Sequence, residues 1–376
     1  MSNSLTSFVS LPRFHLWRKL QQKRALISFD IEITSRCNNS CRHCYINLPA
    51  NDPIAKEKEL SLSELKAIID EAVSLGALWC LITGGEPLLR EDFIDLYLYL
   101  KKKGLLVSIF TNATLITREH IRLLKKYPPR SIEVSVYGVT SVTYERVTQQ
   151  PGSFAAFSRG LNMLLGSGIN LSFKSMALRS NISELKEIAD FCREKSANKF
   201  RFDPFLHLRY DGDPIRNREI ISERLRPEEI TTLERSDPDR FKALQRGCDN
   251  LIVPAFSDTA STRLFQCGAG QGSFALGPEG QFRLCSSLWK PECVYDLKKG
   301  RLSEAWFDFT PGIQHMRSEN NAFLTKCRVC SLINLCMWCP AHAHLESGIM
   351  DEPADYFCQV AHARAEIVAA QGMPAV

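Results

Sequence analysis

Apolar, β-rich runs recur through the first half of the chain, at about 28–34, 77–83, 105–110, 131–136, 170–176 and 199–205. Between them, near 61–75, 91–103, 117–126, 153–167 and 182–196, apolar residues return every three to four positions, the period of a helix with one buried face. Strands that alternate with helices predict parallel pairing, because a parallel neighbour is reached only through a crossover. Six such units predict an α/β fold whose sheet curves into a partial (β/α)6 TIM-like barrel, with the working loops at the carboxyl ends of the strands. Ser61-Leu62-Ser63-Glu64 and Asn181-Ile182-Ser183-Glu184 read as capping boxes that start helices, and Lys103-Gly104 and Ser167-Gly168 as helix stops.

The same pattern divides the chain. Residues 1–26 predict a short helical extension whose basic run, Arg13, His15, Arg18, Lys19, Lys23 and Arg24, reads as a solvated helix face. The barrel occupies 27–206. Over 207–264 the alternation stops: Asp211-Gly212-Asp213-Pro214, an Arg/Glu-rich stretch near 226–235 and Asp237-Pro238-Asp239 predict a linker with one or two helices over the barrel mouth. From Phe265 onward short turns replace helical periodicity and cysteines crowd together, which predicts a small cysteine-rich C-terminal domain with a final helix over 265–376. Gly268-Ala269-Gly270-Gln271-Gly272 superficially resembles a phosphate loop, but the following Phe274-Ala275-Leu276 and Pro278-Glu279-Gly280 read as a hairpin and supply no helix N-terminus.

Composition narrows the class. With 376 residues, 44% of them hydrophobic, the chain can bury one large core and a smaller one. A net charge of +5 asks for no acidic polymer, so nucleic acid is not an expected partner. No apolar run reaches the ~18 residues of a membrane span, and the first residues lack a signal peptide's apolar core. A cytoplasmic protein is therefore expected, and in that reducing compartment 14 cysteines argue for metal ligation rather than disulfides. Cys80, within Leu78-Trp79-Cys80-Leu81-Ile82, and Cys192 read as core thiols.

Candidate chemistry begins at Cys37-Asn38-Asn39-Ser40-Cys41-Arg42-His43-Cys44-Tyr45, where three thiols follow the first strand. Three thiolates so spaced can wrap one face of an iron–sulfur cubane and leave one iron open, since a cluster of four irons normally takes four. Zinc would want a fourth ligand, for which His43 would have to fold back between two of the cysteines. A disulfide with a spare thiol does not suit a reducing compartment.

Cys-x3-Cys-x2-Cys after a first strand resembles the signature of the radical S-adenosylmethionine (SAM) superfamily. The resemblance implies a [4Fe-4S] cluster on Cys37, Cys41 and Cys44, with the open iron chelating the amino and carboxylate groups of SAM. It further implies a flavodoxin- or ferredoxin-type electron donor and reductive cleavage of SAM to a 5′-deoxyadenosyl radical that abstracts hydrogen from substrate. One unit later, Thr83-Gly84-Gly85-Glu86-Pro87 resembles the family's motif that receives the SAM amino group, which makes Gly84, Gly85 and Glu86 cofactor contacts. Asn112, after the third strand, and Ser135 and Arg146 are implied in the same way, Ser135 contacting SAM and Arg146 its carboxylate. Relatives often read Ser-Leu-Asp-Gly where this chain has Ser135-Val136-Tyr137-Gly138, so Tyr137 replaces an aspartate.

A second set comprises Cys267, Cys285 after Gly280-Gln281-Phe282-Arg283-Leu284, Cys327-x2-Cys330-x5-Cys336-x2-Cys339, and Cys358. Seven thiols exceed the four of a zinc ribbon. The set resembles the SPASM extension, which adds auxiliary iron–sulfur clusters to radical SAM barrels, mostly in enzymes that modify peptides or proteins. Its last pair is separated by two residues where the family usually has three. The resemblance implies two auxiliary clusters, an outer one on Cys327, Cys330, Cys336 and Cys358 and an inner one on Cys267, Cys285 and Cys339. Cys293, Cys248, a histidine such as His342 or His344, or the substrate would complete the inner one.

The implied activity is modification of a ribosomally synthesised precursor peptide by crosslinking, epimerisation or backbone excision. Alternatives are a maturase of a folded protein, such as an anaerobic sulfatase, and an iron–sulfur scaffold without SAM cleavage. Many peptide-modifying relatives add the leader peptide to the sheet edge of a winged-helix-like module. Neither the stretch before the first strand, which includes Pro12, nor the Asp/Pro/Arg-rich linker reads as such a sheet, so a separate leader-binding protein is the expected partner.

Overall fold

The computed structural model describes residues 24–196, 200–251, 262–265, 267–336 and 338–370. Residues 1–23 of the expected N-terminal extension lie outside them. Strands β1 (Ser28–Glu32), β2 (Trp79–Thr83), β3 (Leu106–Thr111), β4 (Ser131–Ser135), β5 (Leu171–Met176) and β6 (Arg201–Asp203) lie side by side in this order, all parallel. Helices α1 (Leu62–Ser74), α2 (Phe93–Lys102), α3 (Arg118–Lys126), α4 (Ser141–Thr148), α5 (Ser153–Leu165) and α6 (Leu185–Lys195) make the crossovers. This is the α/β partial barrel that the alternation predicts. The sequence pattern missed α4, whose β-branched Val142, Thr143, Val147 and Thr148 weaken its helical signal.

Strand alternation sorts side chains between two faces. Phe29 and Ile31 of β1 join a core with Ile68, Ile69 and Ala72 of α1, while Asp30 and Glu32 face the inside of the barrel. The inner face is polar, and a chamber lies where a closed barrel would be filled with side chains.

Three helices, α7 (Pro214–Glu223), α8 (Pro227–Ser236) and α9 (Pro238–Leu251), occupy the segment expected to hold one or two. Each starts on a proline, whose missing N–H costs nothing in a first turn. The hairpin then forms as β7 (Ser273–Leu276) and β8 (Gln281–Arg283), followed by β9 (Tyr295–Asp296). These strands found no sheet of their own. β7 pairs parallel with β1, giving one nine-stranded sheet in the order β9-β8-β7-β1-β2-β3-β4-β5-β6. Phe274 stacks on Phe29 at 5.5 Å, and Phe274, Phe282, Trp306 and Ile313 belong to the barrel's core. Helices α10 (Pro340–Ser347) and α11 (Asp355–Ala369) end the described chain, with α11 tied to α8 by the buried pair Arg364–Glu234 at 2.6 Å. Among the described residues no helix is long and apolar enough to cross a membrane.

The capping box at Ser61 is present, with Ser61 N–H donating to Glu64 Oε2 at 2.7 Å. The one expected at Asn181 is not. Asn181 donates instead to the Tyr137 and Met176 carbonyls, at 3.2 and 3.0 Å. Glu184 accepts from the Val139 and Thr140 N–H groups, at 2.9 and 3.2 Å, and from the Thr140 and Thr143 hydroxyls, which caps α4. The exposed donors of a neighbouring helix start win over the local pairing.

Candidate active site

The loop that carries Cys37, Cys41 and Cys44 has little regular structure, and buried polar groups hold it. Arg36 grips Glu59 through Nε and Nη2, at 2.8 and 3.1 Å, and Glu59 also accepts from the Thr34 hydroxyl. Arg90 donates to the carbonyls of Ile33 and Leu60, at 3.1 and 3.0 Å. Ser40 N–H donates to Thr148 O at the end of α4, 2.8 Å away, and Arg216 donates to Cys41 O at 2.9 Å.

Gly85 N–H donates to Thr34 O at 2.7 Å and Glu86 N–H to Arg36 O at 2.9 Å, so the Gly84-Gly85 turn is bonded to the start of that loop. A Cβ on Gly84 would stand 2.3 Å from Thr34 O and one on Gly85 2.2 Å from Arg36 O. Their lack of side chains therefore serves the contact of chain with chain, while both glycines still line the chamber. Glu86 departs from its expected role. It is fully buried off the chamber wall, accepting from Leu88 N–H at 3.1 Å, Thr111 Oγ1–H at 2.8 Å and Asn112 N–H at 2.8 Å. Donors at the ends of β2 and β3 capture the carboxylate expected to meet the SAM amino group.

The chamber has a volume of about 300 Å³. Cys37, Cys41 and Cys44 stand on its wall together with Gly84, Gly85, Asn112 and Ser135. Asn112 Nδ2 lies 3.8 Å from Cys37 Sγ and 3.0 Å from Asn38 Oδ1. Arg146 is not brought to the site: exposed on α4, it reaches Ser180 O at 3.4 Å and does not line the chamber. Tyr137 lines it and meets the His43 ring edge-on at 4.9 Å. Burial, with the Arg216 charge nearby, lowers the His43 pKa to about 3, which keeps that imidazole neutral.

Burial also pushes Cys37 up to about 12, with the Glu86 and Cys44 charges adding to the rise, and Cys41 is raised by burial and its two sister thiols. The protein alone thus keeps these groups as thiols. A metal centre would draw their protons off and relieve the mutual repulsion. Asn39 lines the same wall, 4% exposed, and neither atom of its amide has a hydrogen-bond partner among the described residues. Soft donors with an unsatisfied buried amide beside them fit an iron–sulfur cluster and a polar cofactor such as SAM.

No described cysteine is in a disulfide. The C-terminal thiols fall into two sets, and burial is the first cause of the rise at Cys327, Cys336, Cys285 and Cys339. Cys358 and Cys330 act on Cys327, and the same residues with Cys327 act on Cys336. Cys267 acts on Cys285, and both act on Cys339. Cys293 turns its buried thiol to the Met316 and Met350 sulfurs, at 4.0 and 3.9 Å. His342 packs on the His207 ring at 4.0 Å, and His344 faces Gly348 O at 3.0 Å. Cys80 and Cys192 are core residues, and the side chain of Cys248 lies outside the description. Ser286, next to Cys285, lines the barrel chamber, so that chamber reaches from the first cysteine loop to the edge of the C-terminal set. Asp30, Glu32, Asn39, Lys174, His207 and Ser286 were missed as wall residues. Two carboxylates two positions apart in an otherwise apolar strand were the available signal for Asp30 and Glu32.

Residues 31–192 match the profile of the radical SAM superfamily, and the chain carries a domain of that family over this stretch. It is 26% identical over 346 residues to Fe-coproporphyrin III synthase of Methanosarcina barkeri, covering 86% of this chain and 84% of that one. It is 29% identical over 259 residues to the antilisterial bacteriocin subtilosin biosynthesis protein AlbA of Bacillus subtilis, covering 68% of this chain and 54% of AlbA. The structure of Streptococcus suis SuiB bound to precursor peptide SuiA superposes over 96% of this chain and 84% of SuiB, with a TM-score of 0.66 and 18% identity, a likeness of fold.

Proposed function

We propose that this chain is a radical SAM enzyme that modifies a ribosomally synthesised peptide in a reducing, cytoplasmic setting. When bound at Cys37, Cys41 and Cys44, an iron–sulfur cluster would supply the electron that cleaves SAM to methionine and a 5′-deoxyadenosyl radical able to take a hydrogen atom. The chain's own residues do the rest. Gly84, Gly85, Asn39, Asn112 and Ser135 would hold SAM against the cysteine wall. Cys327, Cys330, Cys336 and Cys358 would hold one auxiliary cluster, and Cys267, Cys285 and Cys339 another. The observation that carries this reading is the single chamber that runs from the three cysteines to Ser286, beside Cys285, because a substrate there lies between the two cysteine regions. Among the described residues, 207–251 is built of helices and offers no sheet edge to a leader peptide, which supports a separate leader-binding protein.

The alignment with Fe-coproporphyrin III synthase over most of both chains favours a second reading, a tetrapyrrole substrate. The chamber speaks against it, since Asp30, Glu32 and Asp203 on its wall would repel propionate groups. The test is to incubate anaerobically reconstituted enzyme with reductant and SAM, offering the precursor peptide encoded beside the gene in one arm and an iron tetrapyrrole precursor of Fe-coproporphyrin III in another. A mass change in the peptide together with 5′-deoxyadenosine is expected. Formation of Fe-coproporphyrin III with the peptide untouched would replace the first reading by the second.

A further inference from the structure

The inner half of the chamber holds more carboxyl groups than cations, and burial raises the pKa of Glu32. Glu32 is 2% exposed; its Oε2 accepts from Arg283 Nη2 at 2.5 Å, and its Oε1 has no hydrogen-bond partner among the described residues. Asp30 lies on the same face of β1, two residues deeper, and burial together with the Glu32 charge raises its pKa to about 6. Arg283 is one guanidinium between two carboxylates, committed also to Ser286 O at 2.7 Å and to the face of Trp289, 3.5 Å from the ring centre. Lys174, the ammonium on the chamber wall, bonds Glu133 at 3.0 Å and rests on the Phe110 ring at 3.6 Å. Asp203 adds a further carboxylate at the end of β6.

We propose that Glu32 Oε1 and Asp30 bind one cationic group of the substrate, the ammonium or guanidinium of a lysine- or arginine-like side chain, and so help choose which residue of the peptide enters the chamber. This rests on the chamber being the substrate site. Leu81 and Phe110 line the wall beside Asp30 and supply an apolar track for the methylene stem of such a side chain. A singly charged organic cation balances the surplus carboxylate, whereas a divalent metal ion would meet the fixed Arg283 charge. Glu32 lies level with Thr83 in the sheet register and Asp30 with Leu81, so the carboxylates continue inward from the Gly84-Gly85 turn and a side chain reaching them passes the cysteine wall.

The test uses anaerobically reconstituted holoenzyme saturated with SAM, titrated calorimetrically with Nα-acetyl-lysine N-methylamide, with its norleucine counterpart and with its glutamate counterpart. Loss of a charge-assisted hydrogen bond in a buried site corresponds to about ten- to a hundredfold in affinity. The lysine probe should bind tighter than the norleucine probe by that factor, the glutamate probe should bind weakest, and Asp30→Asn should remove the preference. Equal binding of lysine and norleucine by the wild type overturns the proposal, and that comparison needs no variant to fold. A lysine preference that survives Asp30→Asn, or that is present only without SAM, overturns it too, the latter by giving the carboxylates to the cofactor. Absence of 5′-deoxyadenosine from wild type, reductant and SAM is a different failure, one of the reading on which the proposal rests.

Discussion

Glu86 accepts hydrogen bonds from three donors while shut off from water, and burial carries its pKa from the ordinary 4.5 up to about 7. Between those values the folded chain keeps a proton that the unfolded chain has released. Its contribution to stability is therefore whole below 4.5, falls as pH rises to about 7 by on the order of 3 kcal/mol, and is level above. Glu86→Gln has no proton to lose, and its NH2 confronts a donor, a cost of about 1–3 kcal/mol at any pH. Urea unfolding should show the wild-type advantage shrinking across that window; a constant difference from pH 4 to 8 would mean that Glu86 titrates as an ordinary carboxyl. For the thiols, replacing Cys37, Cys41 and Cys44 together by Ala should abolish 5′-deoxyadenosine formation yet leave the visible absorption of clusters on the C-terminal cysteines, because the two regions are built from separate segments. A triple variant that still cleaves SAM would contradict that assignment.

The cysteine loop depends on how the ends of β1 and β2 are pressed together. Gly85→Ala would push a methyl into Arg36 O, 2.2 Å from the new Cβ, and strain the two backbone bonds that join the turn to the loop. The expected cost is about 3 kcal/mol, with loss of roughly the iron of one cluster, checked by thermal unfolding and iron analysis. Wild-type iron content in this variant would show that the close approach is dispensable. Helix α4 supports the same loop through Thr148 O, and its own start depends on Glu184 from the start of α6. Local propensity plays a small part in either element.

Because β7 lies against β1 and Arg283 reaches Glu32 inside the barrel, the C-terminal region and the barrel share one sheet and one core. They should unfold in a single denaturant transition. Arg283→Met would leave Glu32 buried with no cation against it, a loss of about 3–5 kcal/mol; two separate transitions in the wild type, or a variant of unchanged stability, would mean that the halves are independent. The complete reaction should also need a partner. Purified enzyme with reductant, SAM and full precursor peptide should modify the peptide efficiently only when the leader-binding protein encoded nearby is added, and efficient modification without it would remove that expectation.

What the linear chain discloses is what depends on neighbours in sequence. The six parallel strands were legible because side-chain alternation and helical periodicity are short-range patterns, and the Cys37–Cys44 loop because three ligands of one cluster can come from eight consecutive residues. The Asn181 capping box was misread for the opposite reason, and the surroundings of Glu86 and Arg146 were no more legible. Each of those side chains had several partners within reach, and the winner came from another segment: a carbonyl for Arg146, the Thr111 hydroxyl and Asn112 N–H at the end of β3 for Glu86, carbonyls near β4 and β5 for Asn181. The pairing of β7 with β1, which brings Arg283 to Glu32 and offsets part of the chamber's carboxylate charge, joins residues more than two hundred positions apart, and no local period encodes it. Folding alone settles such contacts, because burial makes each unpaired charge costly and the partner that satisfies it is chosen by position in space.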